Sequence, residues 1–564
     1  MADDNYTKDG TVDYLDRPAN RKKTGTWKAC PFILGNECCE RLAYYGMSSN
    51  LVVYFTKQLN QHKTTASKNL SNWSGTCYVM PLLGAFLADA YLGRYWTIAA
   101  FSIIYVFGMT LLTLSASVPG MRPVCRSKDE CRATSKQTGI CYLALYLVAL
   151  GTGGIKPCVS SYGADQFDDT DEAEKKRKAS FFNWFYFSIN VGALIASSVL
   201  VYVQENVGWG WGFGVPAAAM AIAVGFFFSG TRLYRYQKPG GSPLTRLCQV
   251  VVASLRKYRV EVPDDKSLLY ETSGSQSSTI IGSRKLDRTD QFRFLDKAAV
   301  ETQSDVSKGA RANPWRLCTV TQVEELKAVV RLLPVWATGI VFSAVYGQMG
   351  NMFVLQAEYM DTGLGSKGFK IPEASLSIFD TLSVIFWVPV YDRHIIPLAR
   401  RFTGHPSGLS QLQRMGTGLL ISVFAMVSAG VLEAVRLGRG GAEAHVSVLW
   451  QAPQYFIIGC AEVFTFVGQL EFFYEQAPDS MRSLCAALSL TTTALGNYLS
   501  SFLVTVVTWL STRGGGPGWI PDDLDRGKLH YFFLLLAGLS VVNLGAFVVV
   551  AKRYSYKRAV GTVG

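Results

Sequence analysis

The most constraining feature of this sequence is a long apolar segment, from about residue 27 to residue 55, with charged residues near its middle. As a helix, the segment is long enough to cross a hydrocarbon layer of about 30 Å. Each ionised side chain at that depth costs roughly 2.5–3.5 kcal/mol. Glu40 and Arg41 follow Glu37 by three and four residues, so a helix places all three on one face, where they can neutralise one another.

Two acids and one base leave a surplus carboxylate in this cluster. We predict that Glu37 or Glu40 takes up a proton while Arg41 balances the remaining charge. The alternative is a structural ion pair that only holds helices together. Histidine offers no substitute in the membrane, because the five histidines all fall in loops or at the ends of apolar runs.

Repeated apolar runs of around 20 residues are typical of polytopic helical membrane proteins. Charged residues make up 17% of the sequence, against about a quarter in soluble domains. The net charge of +13 fits cytosolic loops rich in Lys and Arg, and no nucleic-acid-binding module is recognisable. No nucleophile–base pair and no metal-ligand set emerge, so neither a catalytic nor a metal site is expected, and no enzymatic activity is predicted.

We predict an all-α membrane protein with the major facilitator fold, in which twelve transmembrane helices form two six-helix halves. Both termini are expected in the cytosol, because only then do the main basic clusters beside the spans fall on that side. The predicted parts are a tail, 1–26, an N-terminal bundle, 27–231, a cytosolic linker, 232–324, a C-terminal bundle, 325–551, and a second tail, 552–564.

The long polar stretch between the halves is expected to be amphipathic near residues 247–260 and otherwise mobile. A six-plus-six division is typical of transporters whose substrate site lies between the halves near the membrane midplane. After the second span, glycines indicate a tight cytosolic turn. Asp89, Gly93 and Arg94 are predicted to form a gate motif there, since Asp89 and Arg94 can bond helix ends and neighbouring carbonyls.

Four more polar residues fall inside predicted spans: Lys156, Asn190, Asp380 and Glu462. Lys156 either snorkels to the surface or sits deep as a cation. Asn190 fits helix–helix hydrogen bonding as well as it fits ligand binding. Glu462 offers a second-half acid to Lys156 or to a bound ammonium group, and Asp380 is given no role.

Four blocks resemble the proton-coupled oligopeptide transporter family, in its plant nitrate/peptide branch, and the resemblance covers essentially the whole chain. The blocks are Glu37–Gly46, Gly84–Thr97, Phe182–Leu194 and Glu462–Pro478. The run Val345–Gln356 is most similar to the plant di- and tripeptide transporter subgroup.

The resemblance implies that Glu37, Glu40 and Arg41 couple a proton to substrate binding. Arg41 and Lys156 would lie near the carboxylate of a peptide, and Glu462 and Asn190 near its amino terminus. The full substrate-binding set that follows is Arg41, Tyr44, Tyr45, Tyr78, Lys156, Asn190, Tyr346 and Glu462, with the three first-half tyrosines lining the pocket.

Two departures from the family's pattern matter. Bacterial and animal members pair an arginine on helix one with an acid on helix seven, but these positions hold Ser48 and Gly347 here. Both partners are missing together, so the outer gate must close in another way. A nitrate-transporting plant relative has a histidine in place of Tyr346, and a phenol cannot become cationic, which counts against nitrate as the main substrate.

The sequence therefore predicts a symporter that moves di- and tripeptides across a lipid bilayer by alternating access, with the proton as coupling ion and no cofactor. The alternatives are transport of another small solute, such as nitrate, a hormone or a glycoside, and a receptor that binds such solutes without moving them. Deep acids on both halves favour transport. Residues 1–26 hold no acidic dileucine signal, which favours the plasma membrane over the vacuolar membrane.

Three sites of covalent modification are also considered. Cys125 and Cys131 lie in a loop expected outside the cell, where a disulfide can form; two free thiols are the alternative. Asn69 begins an acceptor sequence for glycosylation, weakened by its closeness to the membrane. Thr97 lies three residues after Arg94, a spacing that basophilic kinases accept, although a hydroxyl at a helix start explains it better.

Overall fold

The structure of the chain is a computed structural model. Long helices dominate it, and they fall into two groups of six joined by a linker. The structure describes residues 5–48, 50–51, 54–61, 63–127, 130–265, 268–271, 284–302, 313–364, 369–370, 376–404, 408–441, 446–513, 515, 517–521 and 523–557.

The first six membrane helices run from residue 26 to residue 229, close to the predicted N-terminal bundle of residues 27–231. The π-helical turns Ala88–Leu92 and Ala196–Leu200 continue α2 and α5 without a break. The first helix ends before residue 55, and Tyr54–Gln58 forms a separate π-helical turn. The helices are α1, Thr26–Ser48, α2, Lys63–Leu87, α3, Arg94–Ser117, α4, Ser135–Ala164, α5, Glu172–Ile195, and α6, Trp209–Ser229.

The linker contains one helix, α7, Pro243–Arg256, and the second half supplies six more. Short helical segments extend two of these, Met352–Glu358 after α8 and Ile396–Thr403 after α9. The helices are α8, Val320–Tyr346, α9, Ile378–Val390, α10, Gln411–Gly438, α11, Ala452–Gln476, α12, Arg482–Thr512, and α13, Leu529–Arg553.

Capping boxes fix where several of these helices begin. At the start of α4, Thr134 Oγ1 accepts from the backbone N–H of Gln137, and the Gln137 side chain accepts from the N–H of Thr134. Thr319 begins α8 and Ser410 begins α10 in the same way. Each box satisfies two backbone N–H groups that the helix leaves unpaired.

Within the part of the chain that the structure describes, ten helical stretches are long and apolar enough to cross a membrane by length and composition. Two further helices of the bundles lie outside those ten: α1, which contains the predicted proton-coupling cluster, and α9. Together they complete the twelve membrane helices. In the first half α1 packs on α5 and α6, and α3 packs on α4 and α6; in the second, α8 packs on α12 and α13, and α10 on α11 and α13.

The two halves meet along α2, α4 and α5 on one side and α9, α11 and α12 on the other. Helix α12 contacts α2 and α4, while α5 contacts α9 and α11. A separate apolar core lies within each half. The interface between the halves is therefore a seam through the middle of the molecule, and polar side chains on its helices face one another.

Both tails and the linker lie on one face, the face that the sequence predicts to be cytosolic. The backbone of Val12 pairs with that of Tyr236 at the end of the first half, and Lys557 reaches the loop before α12. In the linker, Val250, Leu295 and Ala298 form a small apolar core. The described part of the linker is thus packed onto the bundle, which differs from the expected mobile connection because its amphipathic helix buries its apolar face.

Two short hairpins lie in connecting loops outside the bundle. Strands β1, Val124–Ser127, and β2, Glu130–Arg132, form the first, and β3, Gly363–Leu364, and β4, Phe369–Lys370, form the second. In the first hairpin the backbone of Cys125 stands opposite that of Cys131. The two thiols lie outside the side chains that the structure describes, so their disulfide stays a prediction.

Candidate substrate and proton site

A cavity of about 340 Å³ lies between the two halves. Helices α1, α2, α4 and α5 form one wall, and α8, α9, α11 and α12 form the other. Seven of the eight residues predicted to bind substrate line this cavity: Arg41, Tyr45, Tyr78, Lys156, Asn190, Tyr346 and Glu462.

The eighth of these residues, Tyr44, does not line the cavity, so its predicted lining role is wrong. Its side chain is buried, and its ring stacks on Trp73 with centroids 5.7 Å apart. Lys156 Nζ lies 3.7 Å from the centre of the Tyr44 ring. The tyrosine therefore sits one layer behind the cavity wall, and successive positions 44 and 45 on α1 point to different surroundings because a helix turns by about 100° per residue.

Lys156 is a deep cation rather than a snorkelling one. It lines the cavity and is 4% exposed, and its ammonium also lies 4.9 Å from the ring of Tyr78. None of the ion pairs among the described residues includes it. The faces of two aromatic rings stabilise this charge, which leaves the ammonium available to a carboxylate that enters the cavity.

The predicted proton-coupling cluster forms on α1 as the spacing requires. Arg41 Nε donates to Glu37 Oε1 at 2.8 Å and lies 3.3 Å from Glu40 Oε2. Both glutamates are fully buried behind Arg41. Glu37 Oε2 and both oxygens of Glu40 meet no hydrogen-bond donor in the described part of the chain. One guanidinium thus faces two carboxyl groups, and the unsatisfied oxygens are positions where a proton can bind.

The opposite wall carries Glu462. The hydroxyl of Tyr186 donates to Glu462 Oε1, and the hydroxyl of Tyr346 lies close to the same carboxyl group. Asp380, which the sequence left without a role, also lines the cavity and lies against Glu462. Asn190 lines the cavity too, although its amide donates to the carbonyl of Tyr186 at 3.1 Å.

The gate motif connects the two halves on the cytosolic side. Gly93 adopts a φ of 75°, a region that favours glycine, and so turns the chain sharply between α2 and α3. Asp89 Oδ2 accepts from the backbone N–H of Leu484 at 2.9 Å, at the first turn of α12. A carboxylate there is favoured by the helix dipole. Arg94 Nε donates to Ser483 Oγ at 2.9 Å.

A second layer of ion pairs below the motif was missed by the sequence reasoning. Arg94 donates to Asp165 at the end of α4, and Arg482 at the start of α12 donates to the same carboxylate at 3.0 Å. Arg94 also donates to the carbonyl of Asp479 at 3.2 Å. The acidic run after residue 164 was a signal in the sequence. However, no local pattern predicts that this run contacts the start of α12, which is distant in the sequence.

The linker adds one cation to this network. Arg284 Nε donates to Asp479 Oδ2 at 2.9 Å, and its Nη2 lies 3.4 Å from Asp169 Oδ2. Burial alone would raise the pKa of Asp169, but Lys178, Arg482 and Arg284 outweigh it and hold that pKa well below its usual range. Asp169 therefore stays ionised at physiological pH. Its ion pairs with Arg482 and Arg284 join the two halves, so the cytosolic side is closed in this state.

Similarity to known proteins shows the family of this chain. The profile described as the POT family matches residues 95–520. The chain belongs to the POT family. It is 66% identical over 565 residues to protein NRT1/PTR family 8.1 of Arabidopsis thaliana, covering 99% of each chain. It is also 64% identical to NRT1/PTR family 8.2 of the same plant, covering 100% of each.

Solved structures of POT family members share the fold. The crystal structure of an auto-inhibited POT family peptide transporter is 23% identical, with a TM-score of 0.59, and the match covers 95% of this chain and 99% of that one. A POT family transporter in complex with 5-aminolevulinic acid is 17% identical, with a TM-score of 0.58 and coverage of 94% and 98%. As a POT family member, the chain is a multi-pass membrane transporter and not an enzyme.

Two predicted modification sites of this POT family member are occupied by internal contacts. Thr97 is fully buried and its hydroxyl donates to the carbonyl of Gly93 at 2.9 Å, so it acts as a helix-start residue and is closed to a kinase in this state. The Asn69 amide donates to Tyr142 Oη at 2.7 Å and to Gln61 Oε1 at 3.1 Å. N-glycosylation replaces one of the two hydrogens on Asn69 Nδ2, so at least one of these hydrogen bonds would be lost.

Proposed function

We propose that this POT family transporter is a proton-coupled symporter of di- and tripeptides that works by alternating access. The observation that supports this function is the distribution of charge across one cavity. Arg41 and Lys156 lie on the first-half wall and Glu462 on the second-half wall. A dipeptide is a zwitterion of roughly 6–7 Å between its termini, allowing about 3.3–3.6 Å per extended residue, so it can bridge the two walls.

Bridging supplies the link between binding and movement. The two termini of a bound peptide can contact the charged residues of both walls at once only when the halves are close. The loaded cavity therefore favours closure around the substrate. The cytosolic closure through Arg94, Asp165 and Arg482 must then open to release the peptide inside. Transport therefore exchanges one set of contacts between the halves for another, as alternating access requires.

Proton coupling is assigned to the Glu37–Glu40–Arg41 cluster. With both glutamates ionised, Arg41 attracts two carboxylates; with one protonated, more of its charge is available to the carboxylate of a peptide. Protonation thus strengthens substrate binding at the same wall. A proton that moves with the membrane potential supplies about 2.3 kcal/mol per 100 mV, which drives uptake against a concentration gradient.

The plasma membrane is the proposed location, with the vacuolar membrane as the alternative. The N-terminal tail packs against the end of the first half through Val12 and Tyr236 and holds no acidic dileucine signal. Expression of the tagged full chain in plant cells, with markers for both membranes, tests this placement.

The proposed substrate class is tested with the purified full chain in vesicles. An inward pH gradient should drive accumulation of labelled dialanine, and a protonophore should abolish that accumulation. Excess unlabelled tripeptide should compete, whereas nitrate at the same concentration should not. Competition by nitrate but not by tripeptide would reject the peptide assignment and leave a transporter of another solute.

A further inference from the structure

A pair of carboxyl groups lies on the second-half wall of the cavity. Asp380 on α9 and Glu462 on α11 both line it, and each residue is only 4% exposed. Gly459, one turn before Glu462, makes room for the pair. A Cβ at Gly459 would stand 2.9 Å from Asp380 Oδ1 and 2.9 Å from the Asp380 carbonyl oxygen. The missing side chain therefore lets the Asp380 carboxyl group lie against α11 beside Glu462.

The hydrogen bonding of this pair is incomplete unless a proton is present. Tyr186 donates to Glu462 Oε1, but Glu462 Oε2 and Asp380 Oδ1 are buried and meet no donor among the described residues. No ion pair of the described residues includes either acid. An ionised carboxylate can only accept hydrogen bonds, and two ionised carboxylates in contact within a buried site repel each other. A single proton between them removes the repulsion and supplies the missing donor.

The titratable groups around the pair do not exchange a proton near pH 7, so the two acids themselves hold it. The titratable groups that face the pair are Tyr45 on α1, Tyr186 on α5, Tyr346 on α8 and Tyr455 on α11. All of these are phenols that stay neutral near pH 7. The cations Arg41 and Lys156 belong to the opposite wall.

We propose that Asp380 and Glu462 share one proton in the empty transporter, so that the pair has a net charge of −1 and binds one ammonium group. This inference rests on the proposed function for its substrate, but the shared proton itself does not require one. The pair is a proton site separate from the Glu37–Glu40–Arg41 cluster on the first half. It differs from two independent acids because the two carboxyl groups at this wall present only one charge to the ligand.

The charge balance has a consequence for substrate choice. The ammonium of a zwitterionic peptide neutralises the pair without any change in its protonation. A ligand that lacks an ammonium leaves a buried charge of −1 uncompensated, so its binding requires a second proton on the pair. The pair therefore selects ligands with an amino group, and the binding of ligands without one depends more on external protons.

Infrared difference spectroscopy on the purified full chain without substrate tests the shared proton directly. In the difference between the wild type and each variant near pH 7, we expect the band of one protonated carboxyl group for both Asp380→Asn and Glu462→Gln, because each substitution destroys the same shared site. A proton on Glu37 or Glu40 is common to the spectra and cancels in the difference. Glu358→Gln is the matched control, since Glu358 is exposed outside the cavity, and it should keep the band. Difference spectra that lack this band for both pair variants would overturn the proposal.

Dialanine uptake gives a second, independent readout. Asparagine at position 380 donates to Glu462 as the shared proton does and leaves the wall with a charge of −1, so Asp380→Asn should change KM less than fivefold. If Asp380 is instead ionised, the substitution removes a full charge from the ammonium site and KM should rise tenfold or more. Should Asp380→Asn not fold, the infrared comparison of Glu462→Gln with the wild type decides alone. A shared-proton band in a protein that moves no dipeptide would reject the substrate and retain the pair.

Discussion

At the scale of single residues, the cavity separates groups that bind charge from groups that hold protons. Arg41 and Lys156 present fixed positive charge, and the aromatic faces of Tyr44 and Tyr78 stabilise Lys156 without neutralising it. Glu37 and Glu40 lie behind Arg41 and out of the cavity. A proton on either acid thus changes the charge felt by a ligand without occupying the space of the ligand.

Replacing Glu40 with Gln should abolish uphill, proton-driven uptake while exchange of peptide across the membrane continues. The amide keeps the shape of the side chain but cannot take up a proton. Accumulation of labelled dialanine against a gradient measures the first activity, and counterflow into peptide-loaded vesicles measures the second. Wild-type accumulation by Glu40→Gln would place the coupling acid elsewhere, with Glu37→Gln as the next variant.

Glu462→Gln leaves the charge of −1 on Asp380, but it removes the carboxylate that Tyr186 and Tyr346 position at the cavity wall. It should therefore weaken zwitterionic dipeptides by about 1.5–3 kcal/mol, the range for hydrogen bonds to a charged group, or roughly tenfold or more in affinity. N-acetyl-dialanine lacks the ammonium, so it should bind the wild type poorly and lose little more in the variant. Competition against labelled dialanine measures both ligands. An equal loss for the two would show that Glu462 is structural.

At the scale of helices, close packing depends on glycine at a few contacts. Gly84 on α2 faces the backbone of α4, where an added Cβ would meet the carbonyl oxygen of Gly153 at 2.3 Å and Cα of Gly154 at 2.6 Å. This run of small residues on α4 also positions Lys156. The approach of α2 to α4 therefore sets where both Tyr78 and Lys156 stand at the cavity wall.

Gly84→Ala should force α2 and α4 apart and destabilise the transporter by about 1–3 kcal/mol, the usual cost of overpacking. Gly139→Ala is the matched control, because Gly139 also lies in α4 and a Cβ there meets nothing within 4 Å. Thermal unfolding of the purified proteins in one detergent should show a lower midpoint for Gly84→Ala only. Equal midpoints for the two variants would show that the contact between α2 and α4 can relax.

The sequence predicted the helices well, because apolar runs, caps and basic flanks are local signals. The same holds for the Glu37–Glu40–Arg41 cluster, whose spacing within one helix determines its contacts. Asp380 was missed because its role depends on Gly459 and Glu462 on another helix. The prediction that Tyr44 lines the cavity was wrong because it also depends on other helices. Adjacent residues on a helix face different neighbours, and only tertiary packing determines which of them reaches the cavity.

At the scale of the whole molecule, the linker joins the contacts between the halves on the cytosolic side, and both tails pack beside these contacts. Arg284 contacts Asp479 of the second half and Asp169 of the first. Lys557 in the C-terminal tail donates to the carbonyl of Ala477 at 2.6 Å. Arg21 in the N-terminal tail pairs with Asp168. The cytosolic closure is therefore larger than the gate motif alone, and parts outside the two bundles stabilise it.

Arg284→Ala should weaken the cytosolic closure, because it removes a partly buried cation between two acids of opposite halves. Arg293→Ala removes the same charge from the linker, but its partner Asp264 is exposed, so an effect near zero is expected. The rate at which a cytosolic maleimide reagent labels a cysteine introduced at Ser483 should rise in Arg284→Ala and stay unchanged in Arg293→Ala. Equal labelling rates would show that the gate motif closes the cytosolic side without the linker.

The central claim is that one cavity couples a proton to a zwitterionic peptide. Its most direct test is the current evoked by dialanine in a voltage-clamped cell that expresses the full chain. We predict an inward current that grows as external pH falls, whose reversal potential follows the proton gradient, and that is lost in Glu40→Gln while the surface level of the protein is unchanged. Dialanine uptake without current at any pH, or a current evoked by nitrate and not by dialanine, would contradict the account.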